Sequence, residues 1–289
     1  MIPFFPEFAP VALEQKDEIA PVLAQTPDGV SEFTFANLYL FRARYDYKVS
    51  WDADRLLVSG ERDGKKFFAT PCAAPSLDVL KALFDTHDYW KGISERVIED
   101  GRQQIAELGL EIAEDRDNFD YLYLKRELSA LSGKKFHKKK NLVNAFMLAN
   151  PEHSEIPLTR DKLGDAIAVL DRWKVDKGSD GDYVASREAL ELFDTLGMDG
   201  RIFYVKNHPA GYCLGEPVAR GTMYAVHFEK AIDEYKGIYQ YINQVFCAGL
   251  PENFTYINRE QDLGDEGLRQ AKETYRPCGF VKKHTGKPR

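Results

Sequence analysis

The chain of 289 residues amounts to about two domains on a usual size of ~100–200 residues each, and its 44% hydrophobic and 12% aromatic content is enough to fill cores, which excludes a disordered chain. Charged residues make up 29% of it and no run approaches the ~18 apolar residues that a membrane-spanning helix needs, so no integral membrane segment is expected. Setting 39 basic against 46 acidic residues gives a net charge of −7, which argues against a generic nucleic-acid coat unless the positive charge is gathered in one place.

From the start, Met1-Ile2-Pro3-Phe4-Phe5-Pro6 has no basic segment ahead of an apolar stretch, which points to a cytoplasmic address. Helical spacing then marks residues 11–20 and 33–41, followed by strand-like runs at 45–51, 55–59 and 66–70. Helices are expected at 76–84 and 93–108, a strand at 121–124, and a basic helix at 138–148. Here the positive charge is gathered: Lys134-Lys135-Phe136-His137-Lys138-Lys139-Lys140 holds five lysines in seven residues. Residues 150–157, with two prolines, read as a linker between halves 1–150 and 151–289.

Beyond it, Leu163, Ala166, Ile167, Leu170 and Trp173 form a helical stripe behind Thr159 as N-cap, and Ala185, Ala189, Leu192, Phe193 and Leu196 form another, stopped by Gly197. Strands follow at 202–206, 211–214 and 222–228, the first two joined by the turn 207–211. A third stripe, Ile238 to Phe246, opens at Gly237, and a strand at 254–258 leads to a last helix through Leu268, Ala271 and Tyr275, ended by Pro277, before a final strand near Phe280. The second half thus reads α-α-β-β-β-α-β-α, the element order of the GNAT acyltransferase fold, and the first half reads similarly with one more helix before its fourth strand. That order predicts an α/β (α+β) chain of two tandem GNAT-like domains, each a mixed, mostly antiparallel sheet flanked by helices. In such a sheet a parallel strand pair splays apart, and a carbonyl under attack sits in the gap. Cys72, Cys213, Cys247 and Cys278 stand singly, so they are expected to be reduced and structural, with no metal set. No G-x-S-x-G, H-E-x-x-H, G-x-x-x-x-G-K or G-x-G-x-x-G pattern occurs, which removes support for serine hydrolases, zincins and the matching nucleotide enzymes.

Two stretches carry a resemblance. Tyr256-Ile257-Asn258-Arg259-Glu260-Gln261-Asp262-Leu263-Gly264, continued by Gly267-Leu268-Arg269-Gln270-Ala271-Lys272, and the stretch from Leu131-Ser132-Gly133 through the lysine run to Asn141-Leu142-Val143-Asn144-Ala145-Phe146, resemble soluble bacterial relatives of the phosphatidylglycerol lysyltransferase C-terminal domain. The resemblance implies kinship with enzymes that move an aminoacyl group from aminoacyl-tRNA to a lipid or peptidoglycan precursor. The membrane-embedded portion of the full lysyltransferases has no counterpart here, which leaves a phosphatidylglycerol substrate in doubt. Acetyl-CoA users carry a glycine-rich pyrophosphate loop after the third strand, whereas this chain has Glu229-Lys230-Ala231-Ile232-Asp233-Glu234-Tyr235-Lys236-Gly237. Aminoacyl-tRNA is therefore the better donor and acyl-CoA the weaker one; no metal is needed and no cofactor is assigned.

Candidate residues follow. Lys138, Lys139 and Lys140, flanked by Asn141 and Asn144 at a helix start, could hold phosphates of tRNA or another anionic substrate, or form only a solvated face. Asn258, Arg259, Glu260 and Asp262 sit where a strand runs into a loop, and Glu260 or Asp262 could deprotonate an attacking amine or bind a donor's amino group. They could equally be a capping cluster, since Asp262 and Asp265 precede the helix at Glu266. Arg269 and Lys272 share a helix face, suited to a phosphate or to ion pairs with Glu266 or Glu273. Tyr275 stands where a leaving-group acid would, and Glu229, after the third strand, where a general base would; His227 reads as a satisfied core residue. The function expected is acyl or aminoacyl transfer to an amine or hydroxyl. The alternative is a non-catalytic GNAT-like protein that binds an anionic ligand or RNA, and no obligate protein partner is implied.

Overall fold

The structure, a computed structural model, describes residues 1–178 and 180–289. The chain begins with β1 (Ala9–Pro10), α1 (Lys16–Leu23), α2 (Phe35–Leu40), α3 (Arg42–Tyr45), β2 (Lys48–Asp52), β3 (Arg55–Arg62), β4 (Lys65–Ala69), α4 (Leu77–Phe84) and β5 (Tyr89–Ile93). It continues through α5 (Glu95–Asp100), α6 (Arg102–Glu107), β6 (Leu110–Glu114), β7 (Asp120–Leu124), α7 (Lys125–Ala130), α8 (His137–Ala149), β8 (His153–Pro157), α9 (Leu163–Lys177) and α10 (Tyr183–Leu196). The last elements are β9 (Asp199–Val205), β10 (His208–Val218), β11 (Met223–Ala231), α11 (Ile238–Gly249), β12 (Tyr256–Asn258), α12 (Glu266–Glu273), β13 (Gly279–Val281) and β14 (His284–Pro288).

Local chemistry explains many of these boundaries. Thr34, Ser76, Ser94 and Asp265 each accept a backbone N–H of the first turn, of α2, α4, α5 and α12 respectively, and so satisfy donors that the helix itself leaves free. Thr159 does not cap in this way; its hydroxyl bonds Asp161 at 2.6 Å. The helix expected over 93–108 is instead a strand end and two short helices broken at Gly101, where an added Cβ would lie 2.6 Å from the Cβ of Ala74. α11 starts at Gly237, whose φ of +90° and contact with the carbonyl of Leu142 leave no room for a side chain. The β9–β10 hairpin turns on Lys206 and Asn207, both at positive φ, a tighter connection than the expected 207–211.

Two seven-stranded sheets result, ordered β1-β2-β3-β4-β5-β14-β6 and β13-β7-β12-β11-β10-β9-β8. Each has a run of antiparallel strands, then one parallel pair, β4 with β5 or β11 with β12, then two more antiparallel ladders. This is a tandem GNAT-like architecture. The strand beside each parallel pair is lent by the other end of the chain: β14 lies against β5, and β7 lies against β12. Sheet membership therefore changes at residues 115–119 and back at 282–283. The expected linker at 150–157 instead contains β8, the edge strand of the second sheet, with Pro157 at its end where no ladder bond is lost.

The halves also share a core. Leu38 and Leu40 of α2 belong to one buried cluster with Val169 and Leu170 of α9 and with Leu190 and Phe193 of α10. Lent strands and a shared core thus join the two halves. Among the described residues no helix is long and apolar enough to cross a membrane.

Candidate active site

The parallel pairing of β4 with β5 lasts for only two residue pairs, Phe67 with Tyr89 and Phe68 with Trp90. Beyond them Ala69 and Lys91 diverge, and the first gap holds a small cavity of about 20 Å³ with apolar walls from Val30, Phe33, Leu38, Tyr47, Val58 and Phe67. Its two charged lining residues are Glu32 and Lys91. Lys91 is 8% exposed, and its ammonium lies 5.0 Å from the ring centroid of Tyr45 and 4.9 Å from that of Phe67. Among the described residues it has no hydrogen bond or ion pair. Burial pushes it below the ordinary lysine value, with Glu32 opposing. A wider hollow of about 400 Å³ is lined by Arg44, Tyr45, Glu61 and Arg62.

Glu32 is held from behind. Lys283, just before β14, pairs with Glu32 and also with Asp120 at 2.7 Å, and all three side chains are nearly or fully buried. Burial would push the Glu32 carboxyl up, but Lys283 and Lys91 outweigh it and keep Glu32 below its ordinary value. Asp120 further accepts the backbone N–H and hydroxyl of Ser31 at 2.9 and 2.8 Å and the amide of Asn258 at 3.0 Å. Glu32 is thus fixed by Lys283 from the crossing between the two sheets and by the neighbouring Ser31 hydroxyl at 3.2 Å.

The second gap is built alike, around another short parallel ladder. The β11–β12 ladder ends at Ala225 with Asn258, and a bulge opposite Leu214 and Gly215 re-aims His227. Its ring bridges Glu260 at 2.6 Å and Glu216 at 3.1 Å; these bonds overcome burial and raise it to about 10, so it stands as an imidazolium between two carboxylates. Beside it Arg259 pairs with Glu229 at 3.0 Å. Ion pairs thus gather beside this gap.

The sequence profile of the family "Phosphatidylglycerol lysyltransferase, C-terminal" matches residues 23–284. The chain belongs to this family. A protein of unknown function from Bacteroides thetaiotaomicron has a similar structure over 100% of both chains, with a TM-score of 0.89 and 28% identity. The L-PGS structure from Bacillus licheniformis aligns with 86% of this chain and 90% of its own at a TM-score of 0.60 and 13% identity, which shows a common fold. Among curated relatives, the uncharacterized protein MYCGA3080 of Mycoplasmoides gallisepticum is 23% identical over 170 residues, 57% of this chain and 54% of that protein. The match thus spans about half the length of that relative.

Of the two stretches that resemble the lysyltransferase family, the one from Tyr256 to Lys272 mostly braces the crossing between the sheets. Asp262 is fully buried and accepts Arg269 at 2.9 and 2.8 Å, Arg116 at 3.2 Å, the Tyr121 hydroxyl at 2.7 Å and the Gly264 N–H at 2.9 Å. These bonds overcome burial and hold its carboxyl well below the ordinary carboxylate range, so it is not placed to take a proton from an amine. Arg269 pairs with Asp262 and Asp117 and not with Glu266 or Glu273; Lys272 bonds the carbonyls of Arg259 and Glu260. Asn258 is spent on Asp120, Gly29 and the Glu260 N–H. Glu229, expected after the third strand, lies inside β11 opposite Cys213. Tyr275 is buried edge-on to Tyr123, and burial lifts its hydroxyl to about 12, which makes it a weak acid. Neither Glu260 nor Asp262 lines either hollow. On α8, Lys138, Asn141 and Asn144 are exposed, Lys140 is half-buried, and Lys139 turns inward.

Asp262→Asn provides a stability test of this bracing. A carboxyl held low in the folded state contributes stability above its unfolded pKa of ~4, and loses it as pH falls through the folded value. The variant should lose roughly 1.5–3 kcal/mol at pH 7, with the deficit shrinking below pH ~4, as read by urea unfolding.

Sequence reasoning did not single out Lys91, Glu32, Asp120 or Lys283. Lys91 left one local signal, a lysine inside the aromatic and β-branched run Tyr89-Trp90-Lys91-Gly92-Ile93, where a charge has to be buried if the run is a central strand.

Proposed function

We propose that the protein is a transferase that moves an acyl or aminoacyl group from an activated ester to an amine or hydroxyl, with the first gap as its reaction centre. The observation that supports this most is Lys91, a buried lysine between splayed strands whose ammonium, among the described residues, has no hydrogen bond or ion pair and meets the rings of Tyr45 and Phe67 and the charge of Glu32. An unpaired charge in such surroundings is costly unless a ligand answers it. In the reaction proposed, an ester carbonyl enters the gap with its oxygen towards Lys91. Attack by the amine moves the π pair onto that oxygen, and the lysine N–H groups hold the resulting oxyanion. Glu32 orients the incoming amine. Collapse expels the ester oxygen, and the proton lost by the amine ends on the hydroxyl so released.

Aminoacyl-tRNA is the donor we favour. The family's name refers to aminoacyl transfer, and residues 229–237 form a strand end and a turn rather than a glycine-rich phosphate loop. Lys138 and Lys140, at the start of α8, would meet its phosphates. Replacing Lys138, Lys139 and Lys140 together with Ala should reduce the log–log salt slope of tRNA binding by roughly two units, one for each lysine left facing solvent; an unchanged slope would remove α8 from the interface. The reading is tested by incubating the protein with tRNA charged with labelled amino acids and a bacterial metabolite extract as acceptor pool. Label should pass to small molecules with the wild type and not with Lys91→Met, and acyl-CoA should not substitute. Glu32 already bonded to Lys283 favours the other reading, an anion-binding protein without catalysis, under which no label would move with either protein.

A further inference from the structure

Between β3 and the end of α4 a hydroxyl meets a histidine: Ser59 Oγ lies 2.8 Å from Nε2 of His87. The other ring nitrogen, Nδ1, is 2.9 Å from the carbonyl of Leu83. A carbonyl only accepts, so Nδ1 carries the proton, and the Nε2 lone pair of the neutral ring is left to accept the Ser59 hydroxyl. Thr86, whose hydroxyl also lies 2.9 Å from Nδ1, has the Leu83 carbonyl at 3.2 Å for its own proton, which agrees with that tautomer. Burial holds the imidazole below its ordinary value, with Lys66 acting the same way and the Leu83 carbonyl and Asp88 opposing, so the ring is mostly neutral at pH 7.

The pair stands apart from the first gap. Val58 and Phe67 line the cavity, so the next residues, Ser59 and Phe68, face the other side of the sheet, where Leu57, Phe68, Leu80 and Leu83 belong to a separate buried cluster. Ser59 lies directly opposite Phe68, and Lys66, two positions before Phe68, shares this face. Among the described residues the Lys66 side chain forms no ion pair. The rings of Phe8 and Phe68 stand edge-on to the imidazole at 6.0 and 5.7 Å. Ser59, His87 and Phe8 are each half-buried, which leaves the pair within reach of solvent.

We infer that Ser59 is a nucleophile with His87 as its general base, and that it takes an apolar acyl group from a small activated ester. Oγ attacks the ester carbonyl while Nε2 takes the hydroxyl proton, and the π pair moves onto the carbonyl oxygen. Lys66 is the cation on this face that can meet the resulting oxyanion. Collapse re-forms the carbonyl and breaks the bond to the leaving oxygen, which takes the proton back from His87. The products are an O-acylserine, the released alcohol and a neutral imidazole. The apolar class of acyl group follows from the rings of Phe8 and Phe68 beside the imidazole. The inference does not require transfer at Lys91.

Incubation of the full chain with p-nitrophenyl butyrate at pH 7, followed by peptide mapping in a mass spectrometer, tests it. Butyryl should appear on Ser59 at least about 10²-fold faster than on Ser132, an exposed serine without a histidine partner, because a positioned general base supplies roughly 10²–10⁴ in rate. Hydroxylamine should remove it, which separates a serine ester from amides formed on lysines. His87→Gln can bond the hydroxyl but cannot take its proton, and should bring Ser59 down to the rate of Ser132. Absence of butyryl from Ser59, equal rates on Ser59 and Ser132 in the wild type, or an undiminished rate in a folded His87→Gln would each overturn the site. The comparison of the two serines is made within the wild-type chain, so it decides the matter even where His87→Gln does not fold.

Discussion

Lys91→Met is expected to lower single-turnover transfer by about 10²–10³-fold while the protein stays folded, the usual effect of removing one donor from an oxyanion site. Methionine keeps the length and apolar body of the lysine stem, so the walls from Tyr45 and Phe67 remain packed. Stability should move the opposite way. The folded protein holds Lys91 below its ordinary value. Below the folded pKa both states carry the proton and the folded state bears the full penalty of a buried charge; between the folded value and ~10.5 the unfolded state binds more protons, and stability rises with pH. The wild type should therefore gain stability with rising pH in that window, and Lys91→Met should lack that part of the gain. Urea unfolding of both proteins at pH 7 and pH 10 reads it. A variant that is both inactive and unfolded would show Lys91 to be a packing residue.

Asp120→Ala should have the largest effect on stability, a loss of about 3–5 kcal/mol, because it breaks a fully buried ion pair. It takes from Lys283 a partner at 2.7 Å and leaves the Ser31 N–H without its acceptor. The same change removes the acceptor of the Asn258 amide, so both halves are loosened at once. Lys283→Met differs in kind: it leaves Glu32 and Asp120 facing each other without the cation between them, and the pocket should lose its ordered Glu32 before the sheets separate. Denaturant unfolding should show one transition for wild type and Asp120→Ala alike, shifted to lower denaturant in the variant. A loss below 1 kcal/mol would mean that the crossing is not a principal brace.

Elements with their own periodicity were legible in the sequence. The stripes of α9, α10 and α11 and the runs of β9 to β11 appear close to where they were expected, because each buries a face set by local spacing, and Gly197 and Gly237 stop or start helices for steric reasons visible in the residue itself. β14 was not legible. His284-Thr285-Gly286-Lys287-Pro288 has no apolar alternation, and it is a strand because β5 and β6 leave an open ladder on either side. β5 was left without an assignment except for Ile93, where the expected helix began. Asp120 and Lys283 are 163 positions apart, and no local pattern announces such a pairing. The polar density from Asn258 to Lys272 was correctly noticed as unusual, but density does not tell substrate-facing groups from mutually satisfied ones. Asp262 illustrates this: its charge is answered entirely from within the protein, by Arg269, Arg116 and Tyr121, whereas Lys91 is a single charge in an apolar run with no such partner.

The location of the reaction centre is tested most directly by the rate at which labelled aminoacyl groups leave charged tRNA for the acceptor pool, compared between wild type, Lys91→Met and Glu260→Gln. The first-gap assignment gives a loss of about 10²–10³-fold for Lys91→Met, with Glu260→Gln, a change within an ion pair beside the second gap, remaining within about tenfold of wild type. Full activity in Lys91→Met together with collapse in Glu260→Gln would contradict it and place the chemistry at the second gap.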